Sequence, residues 1–271
     1  MAQAQQVSVC IAGATGWTGR ALVRAVSDAA DLALASAVSR SAAGRDLGEA
    51  LGGDALGVPI HASVREALDG VDVLIDYTSA TAVKANTLAA IDAGVGVVIG
   101  SSGLTAEDFG EIDWAARERS VGVVASGNFS LTAAMCQAGA LLAARHLPRW
   151  EVIDYASATK PDVPSGTARE LAERLGEIRR PELGHPIEDL HGPQEARGAT
   201  VAGTQIHSLR LPSFVVSTEV VFGLPDERLT IRHDAGGTPE PYVAGTLIAV
   251  RRVPALVGLT RGLDTLLLES G

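Results

Sequence analysis

Gly13, Gly16 and Gly19 stand at G-x-x-G-x-x-G spacing. They follow the apolar run Val7–Ala12 and precede a segment in which Ala21, Leu22, Ala25 and Val26 recur at helical spacing. At such a junction the first glycine permits a sharp turn and the second lets the backbone approach a pyrophosphate. The third lets the helix pack closely on the strand. The helix N-terminus adds free N–H donors and the positive end of its dipole, which suits an anion. A glycine-rich turn alone needs no ligand, but strand, loop and helix occur together here. The reading is a dinucleotide site using Gly13, Gly16, Trp17, Thr18 and Gly19.

The end of the next strand-like run refines the ligand. Leu32–Val38 is followed by Ser39, Arg40 and Ser41, with no carboxylate to accept bonds from the ribose hydroxyls of NAD. Arg40 can pair with a 2′-phosphate, and Ser39 and Ser41 can donate hydrogen bonds to it. NADPH is therefore the expected cofactor, with NADH the alternative. Three further turns follow apolar runs: Asp76-Tyr77-Thr78, Gly100-Ser101-Ser102-Gly103 and Ser126-Gly127-Asn128-Phe129. Ligands of open parallel sheets lie at the carboxyl ends of strands, so Tyr77, Thr78, Gly100, Ser102, Asn128 and Phe129 are expected around the nicotinamide.

A second cluster lies at Lys160-Pro161-Asp162-Val163-Pro164-Ser165-Gly166-Thr167. Pro164 disfavours helix at the residue before it, which places a helix start at about Ser165. Ser165, Gly166 and Thr167 then bring hydroxyls and backbone N–H groups to a helix N-terminus, with the Lys160 charge close by. The arrangement suits an anion, although a helix cap beside a surface lysine would look the same.

Strands alternating with helices must position these groups. After residues 7–12 and 32–38, strands are expected at 71–77, 96–99 and 121–125, and helices at 16–27, 63–69, 81–92 and 105–119. Thr105 and Asp108 read as a capping box. This alternation predicts an α/β, doubly wound parallel sheet. Beyond Asn128 the pattern changes. Helices at 131–147 and 165–175 flank an extended stretch at 150–159, and a Gly/Pro-rich loop runs to about 203. Strand-like runs follow at 204–211, 215–222 and 228–233, then a helical segment at 242–268. Consecutive strands predict a second, α+β domain with a largely antiparallel sheet. The expected boundaries are 1–127 with 238–271, and 128–237.

Composition narrows the partners. The 271 residues are 46% hydrophobic and 20% charged, as in a soluble globular chain. A formal charge of −10 disfavours nucleic acid and acidic membrane surfaces. No apolar run reaches the ~20 residues needed to span a bilayer. The N-terminus lacks the basic and apolar parts of a secretion signal, which points to the cytoplasm. Cys10 and Cys136 fall in a predicted strand and a predicted helix, so no disulfide is expected. The six histidines show no metal-ligand spacing. His207 and His233 read as structural, and Trp114 and Trp150 as core or interface anchors.

In order along the chain, the Gly13–Gly16 loop, Asp76-Tyr77-Thr78, Gly100–Gly103, Asn128-Phe129-Ser130 and Lys160 to Thr167 resemble 4-hydroxy-tetrahydrodipicolinate reductase, also called dihydrodipicolinate reductase. The resemblance implies a Rossmann domain, a mixed-sheet domain for substrate and tetramerisation, and a C-terminal helix returning to the first domain. It also implies that Lys160, Ser165, Gly166 and Thr167 bind a substrate carboxylate, with Ser102 near the nicotinamide. Lys160 then holds the carboxylate or stabilises developing negative charge.

The departures lie in the second half. A family His-His pair, one of them the proposed proton donor, reads Ala156 and Ser157 here, which leaves Ser157 as a substrate contact. Alanine cannot transfer a proton and serine is a poor acid. The family's Arg-x-Gly-Gly reads Arg210-Leu211-Pro212-Ser213, its Gly-Glu-His reads Val216-Ser217-Thr218, and its Ser-Ser-Arg reads Gly236-Gly237-Thr238. The expected function is an NAD(P)H-dependent reductase of a C=N or conjugated C=C bond in a small anionic substrate. The alternatives are a paralogue acting on another imine or enamine, and a non-catalytic NADP(H) sensor.

Overall fold

The computed structural model describes residues 6–268. Their chain falls into two compact units, one running through Phe129 and resuming at Pro239, the other Ser130–Thr238.

The first unit opens with β1 (Val7–Ala12), α1 (Trp17–Asp28), β2 (Leu32–Val38), α2 (Leu47–Ala50) and β3 (Ile60–His61). It continues through α3 (Val64–Ala67), β4 (Val73–Asp76), α4 (Val83–Asp92), β5 (Gly96–Ile99), α5 (Ala106–Glu118) and β6 (Gly122–Ala125). β4, β5 and β6 are buried at every residue. That is why they read as unbroken apolar runs: a parallel sheet covered on both faces has no polar alternation. The start of α5 is set as its residues predict. Thr105 Oγ1 accepts from the Asp108 N–H at 3.2 Å, and the Asp108 carboxylate accepts from the Thr105 N–H at 2.8 Å.

The second unit comprises α6 (Leu131–Ala144), β7 (Trp150–Ala156), α7 (Gly166–Ile178), β8 (Ala199–Val201), β9 (Thr204–Arg210), β10 (Val216–Leu224) and β11 (Glu227–Asp234). Its sheet runs β11-β10-β7-β9-β8. β7 pairs parallel with β9 and the other pairs are antiparallel, so the sheet is mixed. Burial alternates along β7, with Trp150, Val152, Asp154 and Ala156 inward. Trp150, Val152, Ile206, Val220 and Phe222 pack with Ala140 and Ala144 of α6 and Leu171 and Leu175 of α7. Trp150 is core as anticipated, and its indole N–H donates to Thr204 Oγ1. Trp114 is exposed.

The chain then re-enters the first unit as α8 (Glu240–Arg252), β12 (Gly258–Arg261) and α9 (Leu263–Leu268). The expected helix over 242–268 is thus corrected: Pro254 lies in a 3-10 turn beyond α8, and β12 joins β6 in parallel. The completed sheet has the order β12-β6-β5-β4-β1-β2-β3. Chain order reverses between β1 and β4, and the carboxyl ends there form the crevice where such sheets hold ligands. Cys10 and Cys136 are free and buried, and burial pushes both thiols up to about 11.

Candidate active site

In the first unit, the residues expected around a dinucleotide follow the carboxyl ends of the strands. The Gly13–Gly19 loop leaves β1, Ser39 and Arg40 leave β2, Tyr77 and Thr78 leave β4, Gly100 and Ser102 leave β5, and Asn128 and Phe129 follow β6. Gly13 adopts φ +85° beside the switch point, and a Cβ there would lie 2.3 Å from the Tyr77 carbonyl oxygen. A Cβ on Gly19 would lie 2.1 Å from the Gly13 carbonyl oxygen, so α1 is seated closer to the β1 turn than any side chain allows. Gly16 is the N-cap of α1 and no side chain caps that end. The glycines therefore form a tight cradle at a helix N-terminus, and the residues present fit a pyrophosphate.

At the β2 end, Thr15 Oγ1 and Ser39 Oγ lie 2.8 Å apart, and Ser39 Oγ is 3.4 Å from Ser41 Oγ. Arg40 is exposed beside this chain of hydroxyls. Trp17 is 53% exposed, with its ring edge-on to Tyr242 at 6.0 Å. Thr18 is half-buried in the first turn of α1.

The nicotinamide-side turns differ in what they offer. Tyr77 supports its neighbours: its ring lies where a Gly100 Cβ would fall, and its hydroxyl is 3.0 Å from Thr246 Oγ1. Burial pushes the Tyr77 phenol above its ordinary pKa. Phe129 is 1% exposed, so its ring is core and packs tilted to Tyr77 at 6.3 Å. Asn128 is buried, and its carbonyl accepts from Ser126 Oγ. Ser102 is exposed at the loop tip. Beneath these turns lies a residue that sequence reasoning passed over as part of a motif: Asp76, wholly buried at the end of β4.

In the second unit, the end of β7 and the start of α7 bring Ser157, Lys160, Ser165, Gly166 and Thr167 together. A turn forms as the Lys160 N–H donates to the Ser157 carbonyl at 3.0 Å. Ser157 Oγ sits 3.1 Å from Thr159 Oγ1. Lys160 Nζ pairs with Asp162 at 3.0 Å, with both side chains partly open to solvent. Ser165 is the N-cap of α7 and accepts from the Ala168 N–H.

Ser165 is also held from below. The wholly buried Asp154 accepts from the Ser165 N–H at 2.9 Å, Ser165 Oγ at 2.6 Å, Ser208 Oγ at 3.0 Å and Arg210 Nη2 at 2.8 Å. Arg210 Nη2 also donates to the Asp162 carbonyl at 2.6 Å. One buried carboxylate and one arginine thus fix both the cap of α7 and the loop that carries Lys160. Sequence alone could not assemble this clamp, because Asp154 and Arg210 are 56 residues apart.

Ala156 is buried and pairs with Arg210 and Val216. His233 occupies one register row with Thr218, Asp154 and Ser208. It is 4% exposed, with Nε2 3.3 Å from Ser130 Oγ, the N-cap of α6. Burial pushes its ring pKa below the ordinary value. His207 Nε2 lies 2.7 Å from Glu151, which also pairs with Arg197. Both histidines have the structural surroundings expected of them. Among the described residues, no group of three or more His, Cys, Asp and Glu side chains could hold a metal ion, and no helix is long and apolar enough to cross a membrane.

Comparison with known proteins covers both units. Residues 7–129 match the family model of dihydrodipicolinate reductase, N-terminus, and residues 128–266 match that of its C-terminus. The 4-hydroxy-tetrahydrodipicolinate reductase of Thermosynechococcus vestitus is 37% identical over 268 residues, covering 96% of this chain and 97% of that protein. The enzyme of that name from Moorella thermoacetica is 37% identical, covering 96% and 98%. The solved structure of dipicolinate-bound dihydrodipicolinate reductase from Paenisporosarcina sp. TG-14 superposes with a TM-score of 0.76 at 28% identity, covering 96% and 99%. An amine dehydrogenase from Mycobacterium smegmatis, 14% identical with a TM-score of 0.63, shares the fold alone. With the two family models together matching residues 7–266 and relatives of this similarity along nearly its whole length, the chain belongs to the dihydrodipicolinate reductase family.

Proposed function

We propose that this protein reduces 4-hydroxy-tetrahydrodipicolinate with NADPH as the preferred hydride donor and NADH as the lesser one. The observation that carries the reading is the conjunction of two built sites on a chain of this family: the Gly13–Gly19 cradle and the clamped Lys160–Thr167 segment. The first unit is the dinucleotide-binding domain and the second the substrate and oligomerisation domain of a cytoplasmic homotetramer.

The cofactor supplies a hydride when bound. Gly13, Gly16, Trp17, Thr18 and Gly19 hold the pyrophosphate, Ser39 and Arg40 the 2′-phosphate, and Tyr77, Thr78, Gly100, Ser102, Asn128 and Phe129 frame the nicotinamide. Lys160 and the N–H groups of Gly166 and Thr167 hold a substrate carboxylate, Ser165 sets that helix start through its own bonds to Asp154, and Ser157 adds a contact. Lys160 favours the transition state where negative charge develops. Ala156 has no proton to give, which leaves the Lys160 ammonium, the Tyr155 phenol and solvent as the sources.

That substitution favours a second reading, the same chemistry on a different cyclic imine, because a lost general acid costs ~10²–10⁴ in rate. The test is Lys160→Ala. Turnover should fall by about 10² or more while NADPH affinity, read by fluorescence titration, stays unchanged. An unaltered rate would remove Lys160 from the site.

A further inference from the structure

Asp76 ends a strand whose preceding residues, Val73, Leu74 and Ile75, are buried and apolar. Its carboxylate is itself 0% exposed. A buried carboxylate is costly to keep unless its oxygens are satisfied. Here they are satisfied by neutral donors from three separate segments. Oδ1 accepts from the Thr78 N–H at 3.0 Å, Thr78 Oγ1 at 2.7 Å and Ser101 Oγ at 2.7 Å. Oδ2 accepts from Asn86 Nδ2, on α4, at 2.8 Å. The Asp76 carbonyl accepts from the Gly100 N–H at 2.9 Å and the Ser101 N–H at 3.2 Å. One residue therefore joins the turn after β4, the turn after β5 and the body of α4.

We infer that Asp76 is a positioning residue, fixing the Tyr77-Thr78 and Gly100–Gly103 turns against each other at the nicotinamide end of the site. The inference rests on the cofactor placement proposed above. The pyrophosphate cradle is held mainly by bonds away from this carboxylate: the Gly13 N–H donates to the Val38 carbonyl at 3.0 Å, the Gly16 N–H donates to the Gly13 carbonyl at 2.9 Å and Gly19 packs on Gly13 and Ala14, while Gly13 alone backs onto the Tyr77 carbonyl. Asp76 thus governs the geometry of hydride transfer, while affinity depends mainly on the cradle.

Asp76→Asn tests this directly, because its new amide meets either the Asn86 amide or the Thr78 and Ser101 donors. Amide hydrogen exchange of the ligand-free protein should quicken about tenfold or more at residues 77–79 and 100–103 and remain unchanged at 16–19. The NADPH dissociation constant should stay within about threefold, since the helix N-terminus still binds phosphate. Turnover should fall about 100-fold, as for a reacting group misplaced by about 1 Å. The Asp76→Asn/Asn86→Asp double variant restores a donor–acceptor pair and should recover the slow exchange and most of the rate.

Ser101→Ala cuts only the side-chain link to the second turn, leaving the Gly100 and Ser101 N–H bonds to the Asp76 carbonyl, and it decides the matter if Asp76→Asn does not fold. It should speed exchange at 100–103 and lower turnover without changing NADPH affinity. Unchanged loop exchange in either folded variant, or no recovery in the double variant, would overturn the inference. The exchange and titration arms need no substrate, so they remain decisive if the substrate reading fails.

Discussion

Removing the Asp154 carboxylate is the most informative perturbation of the second unit. Asp154→Ala deletes the acceptor of four hydrogen bonds, one of them from a guanidinium whose side chain is only 15% exposed. Breaking a buried ion pair by removing one partner costs about 3–5 kcal/mol. Arg210 keeps the carbonyls of Leu209 and Asp162 as acceptors, so the lower end, about 3 kcal/mol, is expected here. At ~2–4 °C per kcal/mol for a chain of this size, the melting temperature should drop by roughly 6–12 °C. Thermal unfolding by circular dichroism reads this shift, and KM for the substrate should rise because the α7 cap and the Lys160 loop lose their anchor. The stranded charge also orders two variants. Asp154→Ala/Arg210→Met removes both charges and should be more stable than Asp154→Ala alone, since no uncompensated cation remains. A melting temperature within about 1 °C of the parent in Asp154→Ala would refute the clamp, given that scale.

Three other outcomes follow. Lys160→Ala should destroy turnover and spare NADPH binding, as fluorescence titration and steady-state rates would show together. Arg40→Ala should weaken NADPH about tenfold and leave NADH unchanged, because a charge-assisted contact to the 2′-phosphate exists only for the former; equal loss for both would remove Arg40 from the phosphate site. His233 has a folded pKa lowered from 6.5 chiefly by burial, with Asp234 opposing. The unfolded chain therefore binds more protons just below pH 6.5, so this residue's contribution is full above that value and is lost as pH falls through the depressed folded pKa. Urea unfolding between pH 7.5 and 5 should show that loss in the parent and a flatter profile in His233→Asn. Parallel profiles would contradict the assignment.

Most of the first unit was legible in sequence because its signals are local. The glycine loop, the Thr105–Asp108 capping box and the buried runs of β4 to β6 each depend on neighbours a few residues away. What escaped depended on distant partners. β3 is two residues long and is a strand only because Ala37 and Val38 pair with it. β12 lay inside a segment read as helix, although Pro254 and the positive-φ Gly258 and Gly262 bracket it. At the candidate site, Lys160 to Thr167 was readable from its residue types, but its support by Asp154, Ser208 and Arg210 required the parallel pairing of β7 with β9. Asp76 carried a readable signal, an acid ending an apolar buried strand, whose use appeared only when Ser101 and Asn86 were brought to it.

The central claim is the reaction itself. The purified protein, NADPH and freshly made product of dihydrodipicolinate synthase would be mixed, and the nicotinamide absorbance followed with NADH run in parallel. The account predicts oxidation at an ordinary enzymatic rate, on the order of 1–10³ per second, with NADPH preferred. A protein that binds NADPH but leaves its absorbance unchanged with this substrate would contradict it and turn the search to other cyclic imines.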